Sequence, residues 1–420
     1  MEMHTFRAGA GRAVIKLPTE LFPVEGFNGI HDELCARVLL LDNDSKVAIV
    51  SLELTSLPTG EIASLQKLVG AEAGLLPENV WICATHTFSA PHIRSEHRLK
   101  TETDRHKNTL LRKVIRDALR EAAFQAASGL TDACFGVGSG RCSVNVNRDI
   151  PTAQGWWLGC NESGPSDKSV TVFRFERPDG EPIAFLFSYG VQSSVMDGSI
   201  MADGGRLVSA DLAGAASRYV EQKYGDSVTA LFCVGAAGDQ APAYKARYTE
   251  TDKTGYFREV DIHEQGFILT DLLGKRLGAA VVLTAERIQC SIPEDKLCLQ
   301  KRVFKCSGQE MPQSIRDIRP TRQYDFLPVG EREVSMEAMK LGNAVLVGVQ
   351  PELCCRTFLE LKERSVFPHT VVFTLVNGSA KYMADEAAYS RITYEAMNSH
   401  FAVGAAELLR DKALKLFQEL

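Results

Sequence analysis

The chain has 420 residues, 45% hydrophobic and 24% charged, the make-up of a globular protein able to bury a sizeable core. A formal net charge of -6 gives no electrostatic footing for nucleic acid, and no run of about 18 apolar residues reads as a membrane span. The 11 cysteines are odd in number and include no C-x-x-C pair, which favours a reducing, cytoplasmic setting over a disulfide framework.

The N-terminus, Met1 to Arg7, lacks the basic-then-apolar pattern of a signal peptide. Residues 7–16 and 35–53 read as strands, the latter a hairpin turning at Asn43-Asp44-Ser45. Ile62, Leu65, Leu68 and Val69 predict a helix over 60–73 that stops at Gly74. A strand at 79–83 then delivers Ala84-Thr85-His86-Thr87-Phe88-Ser89-Ala90-Pro91-His92, a histidine-bearing loop where strand ends place catalytic groups. An amphipathic helix follows over 103–127.

Residues 132–146 are β-rich and lead into Asn147-Arg148-Asp149. Runs 170–175 and 182–187 flank Pro178-Asp179-Gly180, a hairpin signal, and the second runs on to Gln192. Loop 193–208 leads to a helix capped by Ser209 with Asp211 in its first turn. Strand 228–234 empties into Gly235 to Pro242, small residues that let a backbone approach a ligand, with no Gly-Lys-Ser/Thr of a phosphate loop. A helix over 266–285, strands over 296–305 and 332–349, a helix from about 352, a strand over 370–376 and two helical segments complete the chain. Stretches 151–168, 240–262 and 306–330 read as polar loops. Adjacent Cys354 and Cys355 read as packing residues rather than a redox or metal pair. Without repeats or linkers, the mixture predicts one large multilayer α/β domain over 1–420.

The sequence resembles the catalytic region of the neutral/alkaline ceramidase family. The likeness rests on ordered blocks: Gly9 to Ala13, His31 to Arg37, Ala84 to Ser89, Asn147-Arg148, Ser209 to Asp211, Gly238 to Pro242, and Asn377 to Glu395. On this resemblance the 420 residues are expected to hold the catalytic domain without that family's C-terminal β-sandwich. The resemblance implies a divalent metal held by His86, Glu352 and Tyr382, with Gln192 standing where the family has a second histidine. It implies Tyr394, 12 residues after Tyr382, and Arg148 as groups acting on substrate, with Asp239 beside them. Phe88, His92 and Gln240 fall where substrate would be bound.

Two departures accompany Gln192. Phe88 replaces the second histidine of the first motif, and Ala241 replaces a serine proposed as nucleophile in some members. A methyl group cannot attack, so direct attack by metal-activated water is the consistent route. Zinc is the first choice of metal, while an amide oxygen from Gln192 shifts preference towards manganese or magnesium. His92, His97, Asp203 and Asp211 are candidates to replace the missing imidazole.

Each residue also has an ordinary counterpart. His86 could be a hydrogen-bonded core residue, the tyrosines packing groups, Glu352 a first-turn glutamate and Arg148 a loop clamp. The expectation is a metal-dependent amidohydrolase acting on a small molecule, smaller or more polar than ceramide, with homo-oligomerisation left open. Ester or lactam hydrolysis, a biosynthetic step, or a non-catalytic binding protein on the same fold are the alternatives.

Overall fold

Along Leu34–Asn43 and Ser45–Leu52, successive side chains point to opposite faces, and both faces are apolar. That double-sided pattern sets the architecture of the computed structural model, which describes residues 6–225, 227–251 and 257–420. Val38, Leu40, Ala48 and Val50 face outward to helices Thr59–Ala73 and Glu102–Ser128. Leu39, Leu41, Val47 and Ile49 face inward, onto two further sheets. A strand buried on both sides reads as a continuous apolar run, as these do.

The first sheet orders its strands Val80–Ala84, Ser45–Leu52, Leu34–Asn43, Arg7–Ile15 and Thr131–Asp132. Gly11 lets the long helix lie against it, since a Cβ there would stand 2.1 Å from the Ala122 carbonyl. The second sheet orders Thr229–Val234, Pro182–Tyr189, Ser169–Glu176 and Cys134–Arg141. The third orders Cys298–Gln309, Pro328–Leu341, Ala344–Val349 and His369–Phe373.

Phe173, Phe175 and Leu186 of the second sheet and Leu346 and Phe373 of the third share one core with the first sheet. The outer face of the second packs on helices Asp211–Tyr224 and Gly266–Ala285 through Phe187, Phe232, Leu212 and Leu277. That of the third packs on Cys355–Arg364 and Ala405–Phe417 through Val345, Val347, Leu361 and Leu409. The result is a mixed α/β protein of four layers, helices outside and sheets within.

One charged cluster crosses these layers. Arg37, fully buried on the first sheet, meets Glu53 at 2.5 Å and Glu221 of helix Asp211–Tyr224 at 2.7 Å. Glu53 also accepts the Cys35 amide at 2.6 Å.

Several local expectations need correcting. The helix expected from 352 begins at Cys355, because Glu352-Leu353 is extended and pairs in parallel with Tyr382-Met383. The strand expected over 332–349 is two, folded back at Gly342, whose φ of +55° suits the turn. Ser209 does not cap the next helix. Ala210 holds that position, and Ser209 Oγ accepts the Asp211 amide while donating to Asp32. The three stretches read as loops carry strands: Gly155–Asn161, the hairpin Arg247–Thr251 with Phe257–Asp261, and the ends of Cys298–Gln309 and Pro328–Leu341. Residues 252–256 of the second stretch, and Met1 to Thr5, lie outside the described residues. Three helices rather than two close the chain.

Cys354 and Cys355 are buried and free: Cys354 packs with Ala384, Ala388 and Tyr389, and Cys355 Sγ accepts the Asp167 amide at 3.1 Å. Among the described residues no helix is long and apolar enough to cross a membrane.

Candidate functional site

Each sheet sends one strand end to the same place. His86 follows Val80–Ala84 of the first, Gln192 follows Pro182–Tyr189 of the second, and Glu352 follows Ala344–Val349 of the third. His86 takes a left-handed φ of +62°, a conformation uncommon outside glycine, and its amide donates to Leu54 O. A bridge between Thr87 and Ser193 ties its loop to the Gln192 loop. Tyr382 arrives on the strand beside Glu352, and Arg148 from Asn145–Thr152.

The polar atoms form one chain. His86 Nδ1 donates to Thr55 O at 2.6 Å, which turns Nε2 towards Glu352 Oε2 at 3.0 Å. Gln192 Nε2 donates to that same carboxylate oxygen at 3.0 Å. Gln192 Oε1 accepts Arg148 Nη1 at 2.8 Å, and Arg148 Nε donates to Glu395 Oε1 at 2.7 Å. The Arg148 guanidinium lies 5.3 Å from the Tyr382 ring centroid and 5.6 Å from that of Tyr394. All but Tyr394 of these side chains are buried.

Burial pushes the His86 imidazole down, but the Glu352 carboxylate outweighs it and holds the ring above its ordinary pKa. Burial likewise raises Glu352, and the neighbouring His86 and Arg148 turn the balance downward. Both directions agree on an ion pair. Burial and Glu352 raise Tyr382 far above the usual phenol, and burial raises Tyr394, so both hydroxyls keep their protons at neutral pH. Tyr394 Oη accepts Asn398 Nδ2 at 3.0 Å, which leaves its own O–H to donate elsewhere.

Of the expected residues, His86, Gln192, Glu352, Tyr382, Arg148 and Tyr394 converge, and Phe88 sets its ring 4.7 Å from that of His86. Three others do not join them as free groups. His92 is turned to the surface, with Nδ1 2.7 Å from Glu25 Oε2. Gln240 spends its amide on Pro165 O, Asp239 and the Ser166 hydroxyl. Asp239 accepts from Asn147, the Cys355 amide and Gln240, and burial pushes it up to about 6. His97 and Asp203 are exposed, and Asp211 is spent on the amides of Val195 and Met196. None of the four replaces the imidazole.

Sequence reasoning missed Glu395, fully buried against Arg148, and Trp157, whose ring stands edge-on to Tyr394 at 5.8 Å. It also missed Asp149, which lies against Glu395. The signal for this pair was a buried arginine that needs a countercharge. Burial, with the Glu395 and Asp239 carboxylates, pushes Asp149 up to about 9. Below pH about 4 the carboxyl is protonated in both folded and unfolded chains, and its contribution is fully present. As pH rises towards about 9 the unfolded chain releases the proton and the folded chain keeps it, so stability is lost over that window. Asp149→Asn is therefore expected to flatten the fall in Tm between weakly acidic and alkaline pH. Matching Tm–pH curves for the variant and the parent would count against it.

Whether these residues suit a divalent ion is decided by two atoms. His86 Nε2 has no hydrogen-bond donor of its own to meet and faces a carboxylate, an arrangement that calls for a cation between them, proton or metal. The Thr55 carbonyl on Nδ1 is the support that metal-bound imidazoles usually have. His86 and Glu352 thus fit, and Tyr382 lies on the strand beside Glu352. Gln192 does not fit as expected, because its nitrogen faces Glu352 and its oxygen is held by Arg148. Among the described residues no group of three or more His, Cys, Asp or Glu side chains is placed to hold an ion.

The sequence matches no protein-family profile and no curated protein sequence. The fold is similar to the crystal structure of neutral ceramidase from Pseudomonas aeruginosa, with a TM-score of 0.74 at 17% identity, over 100% of this chain and 75% of that one. It is similar also to a ceramidase complexed with C2, with a TM-score of 0.73 at 17% identity, over 99% of this chain and 76% of that one. At this identity the likeness is one of fold.

Proposed function

We propose that this protein is a ceramidase-like, metal-dependent hydrolase that cleaves an amide bond of a small N-acyl compound, smaller or more polar than ceramide. The observation that carries the reading is the buried His86 Nε2 held 3.0 Å from Glu352 Oε2, a pair that needs a cation between its atoms, at the meeting point of three sheets. The shared fold and the order of the sequence blocks support it. In this reading residues 1–420 act as one catalytic domain in the cytoplasm.

A divalent ion, zinc first and manganese or magnesium next, would be held by His86, Glu352 and Tyr382 and would supply Lewis acidity towards a carbonyl and a bound water. The chain's own groups do the rest. Thr55 O fixes the imidazole tautomer. Tyr394, with its oxygen lone pair taken by Asn398, donates its proton towards negative charge developing on the carbonyl oxygen. Arg148, held by Glu395, keeps a positive charge against both tyrosine rings. Asp239 positions the Asn147 strand and the Cys355 helix start and does not touch substrate. The half-buried rings of Phe88, beside His86, and Trp157, beside Tyr394, would pack against the substrate.

The test is turnover of a panel of N-acyl amides and esters, with metal content measured on the same preparation. Glu352→Gln and His86→Ala are each expected to lower turnover by about a hundredfold or more, measured below a Tm that falls because the buried pair is broken. Undiminished turnover in His86→Ala, or none by the parent on the whole panel with zinc or manganese supplied, would sink it. A second reading, altered chemistry or ligand binding without catalysis, is favoured by one observation: Arg148 already serves as resident cation on Gln192. Ligand-induced stabilisation without turnover and without metal would select it.

A further inference from the structure

The second sheet ends on an edge strand, Cys134–Arg141, whose outer side is covered at one point among the described residues. Phe135 exchanges both backbone bonds with Ser291, N–H to carbonyl at 3.0 Å and back at 2.9 Å. Its backbone polar groups therefore point away from the neighbouring strand Ser169–Glu176. Pairing with that strand runs without a bulge, so every second residue repeats the orientation. Val137, Ser139 and Arg141 thus turn N–H and C=O outward, with no backbone partner among the described residues.

That edge is one wall of a cavity of about 680 Å³, open to solvent. The other wall is the C-terminal half of helix Gly266–Ala285 and the turn after it. Glycine at 140 brings the walls together, since a Cβ there would meet Thr284 Oγ1 at 2.0 Å. Leu283, 62% exposed, and Ile288 give the groove an apolar stretch. Arg141, Arg276 and Arg287 line it, no carboxylate does, and none of the three makes a side-chain hydrogen bond or ion pair among the described residues.

An uncovered β-edge is a template for another strand, and natural proteins usually blunt it. Here the groove runs beside it, and the Ser291 rung already starts the pairing. We infer that this groove binds an extended acidic peptide segment of a partner protein, which adds to the second sheet as a further strand. The backbone of Val137, Ser139 and Arg141 supplies the hydrogen bonds. The three unpaired arginines select for acidic side chains, and Leu283 and Ile288 for apolar ones between them. The groove is separate from the His86 cluster, so the inference stands whether or not that cluster hydrolyses anything.

The experiment titrates the whole protein into a fluorescein-labelled peptide of about ten residues alternating valine and glutamate, matched to the period of a strand. Saturable binding is expected, with slowed amide hydrogen exchange over 137–141. Affinity is expected to fall about tenfold or more in the exposed double variant R276E/R287E and for the lysine version of the peptide. N-methylation of alternate peptide amides is expected to weaken binding similarly, which a mere charge patch would not show. No saturable binding, an unchanged affinity in R276E/R287E, or binding without slowed exchange at the edge strand would each overturn the inference. Displacement by polyphosphate, with no amide protection from any peptide, would reduce the groove to a simple anion patch and overturn it as well.

Discussion

Gln192→His is expected to raise the affinity for zinc by about 10- to 100-fold, the scale on which groups around a metal site act. In the parent, Gln192 holds Glu352 with its nitrogen and Arg148 with its oxygen, so both ends of the amide are spent within the protein. An imidazole removes the acceptor that keeps Arg148 Nη1 in place and adds a nitrogen donor beside His86, Glu352 and Tyr382. Two imidazoles, a carboxylate and a phenol oxygen make a set that zinc accepts. Competition with a chromogenic chelator near neutral pH measures the change. Affinity should fall as pH is lowered, because the ligands bind protons in place of the metal. Equal affinities in parent and variant would show that Gln192 does not limit metal uptake.

Arg37→Met is expected to destabilise the protein by about 3–5 kcal/mol, the cost of stranding buried charge. Glu53 would lose its contact at 2.5 Å and Glu221 its contact at 2.7 Å, and both carboxylates are fully buried. Glu221 keeps Arg12, and Glu53 keeps the Cys35 amide, which limits the loss. Adding Glu53→Gln and Glu221→Gln should recover part of it, because neutral amides carry no charge to strand. Chemical denaturation of the three proteins gives the values. A loss under about 1 kcal/mol for Arg37→Met would mean that water reaches the cluster.

Much of the scaffold was legible in the sequence for a simple reason. The hairpin at Asn43 to Ser45, the helix ending at Gly74 and the hairpin at Pro178 to Gly180 are set by local periodicity and turn chemistry. The extended Glu352-Leu353 was not, because what holds it is Tyr382-Met383 and the Lys381 carbonyl, far along the chain. The same distinction runs through the site. The family resemblance singled out His86, Gln192, Glu352, Tyr382, Arg148 and Tyr394, which converge, and also His92, Asp239 and Gln240, which do not join them as free groups. The orientation of the Gln192 amide was beyond reach, because it is fixed by Arg148 and Glu352, which no local pattern relates. Glu395 was hidden behind Tyr394, although a buried arginine always needs an acid. Loops 151–168 and 306–330 were misread because strand pairing can order polar residues that carry no apolar alternation.

The reach of the central contacts bears on how the protein is made. Gln192 and Glu352 are 160 residues apart in sequence, and Arg148 and Glu395 are 247 apart. A ribosome delivers the arginine long before its acid. Until Glu395 emerges, enclosing Arg148 would desolvate a lone guanidinium, so the nascent chain must leave that region wet. The outer helices can settle on the first sheet early, while the centre stays open until Glu395 has left the exit tunnel. Closure of this polar centre therefore waits for Glu395, and a chain stalled before Tyr394 would hold a layered but hydrated core.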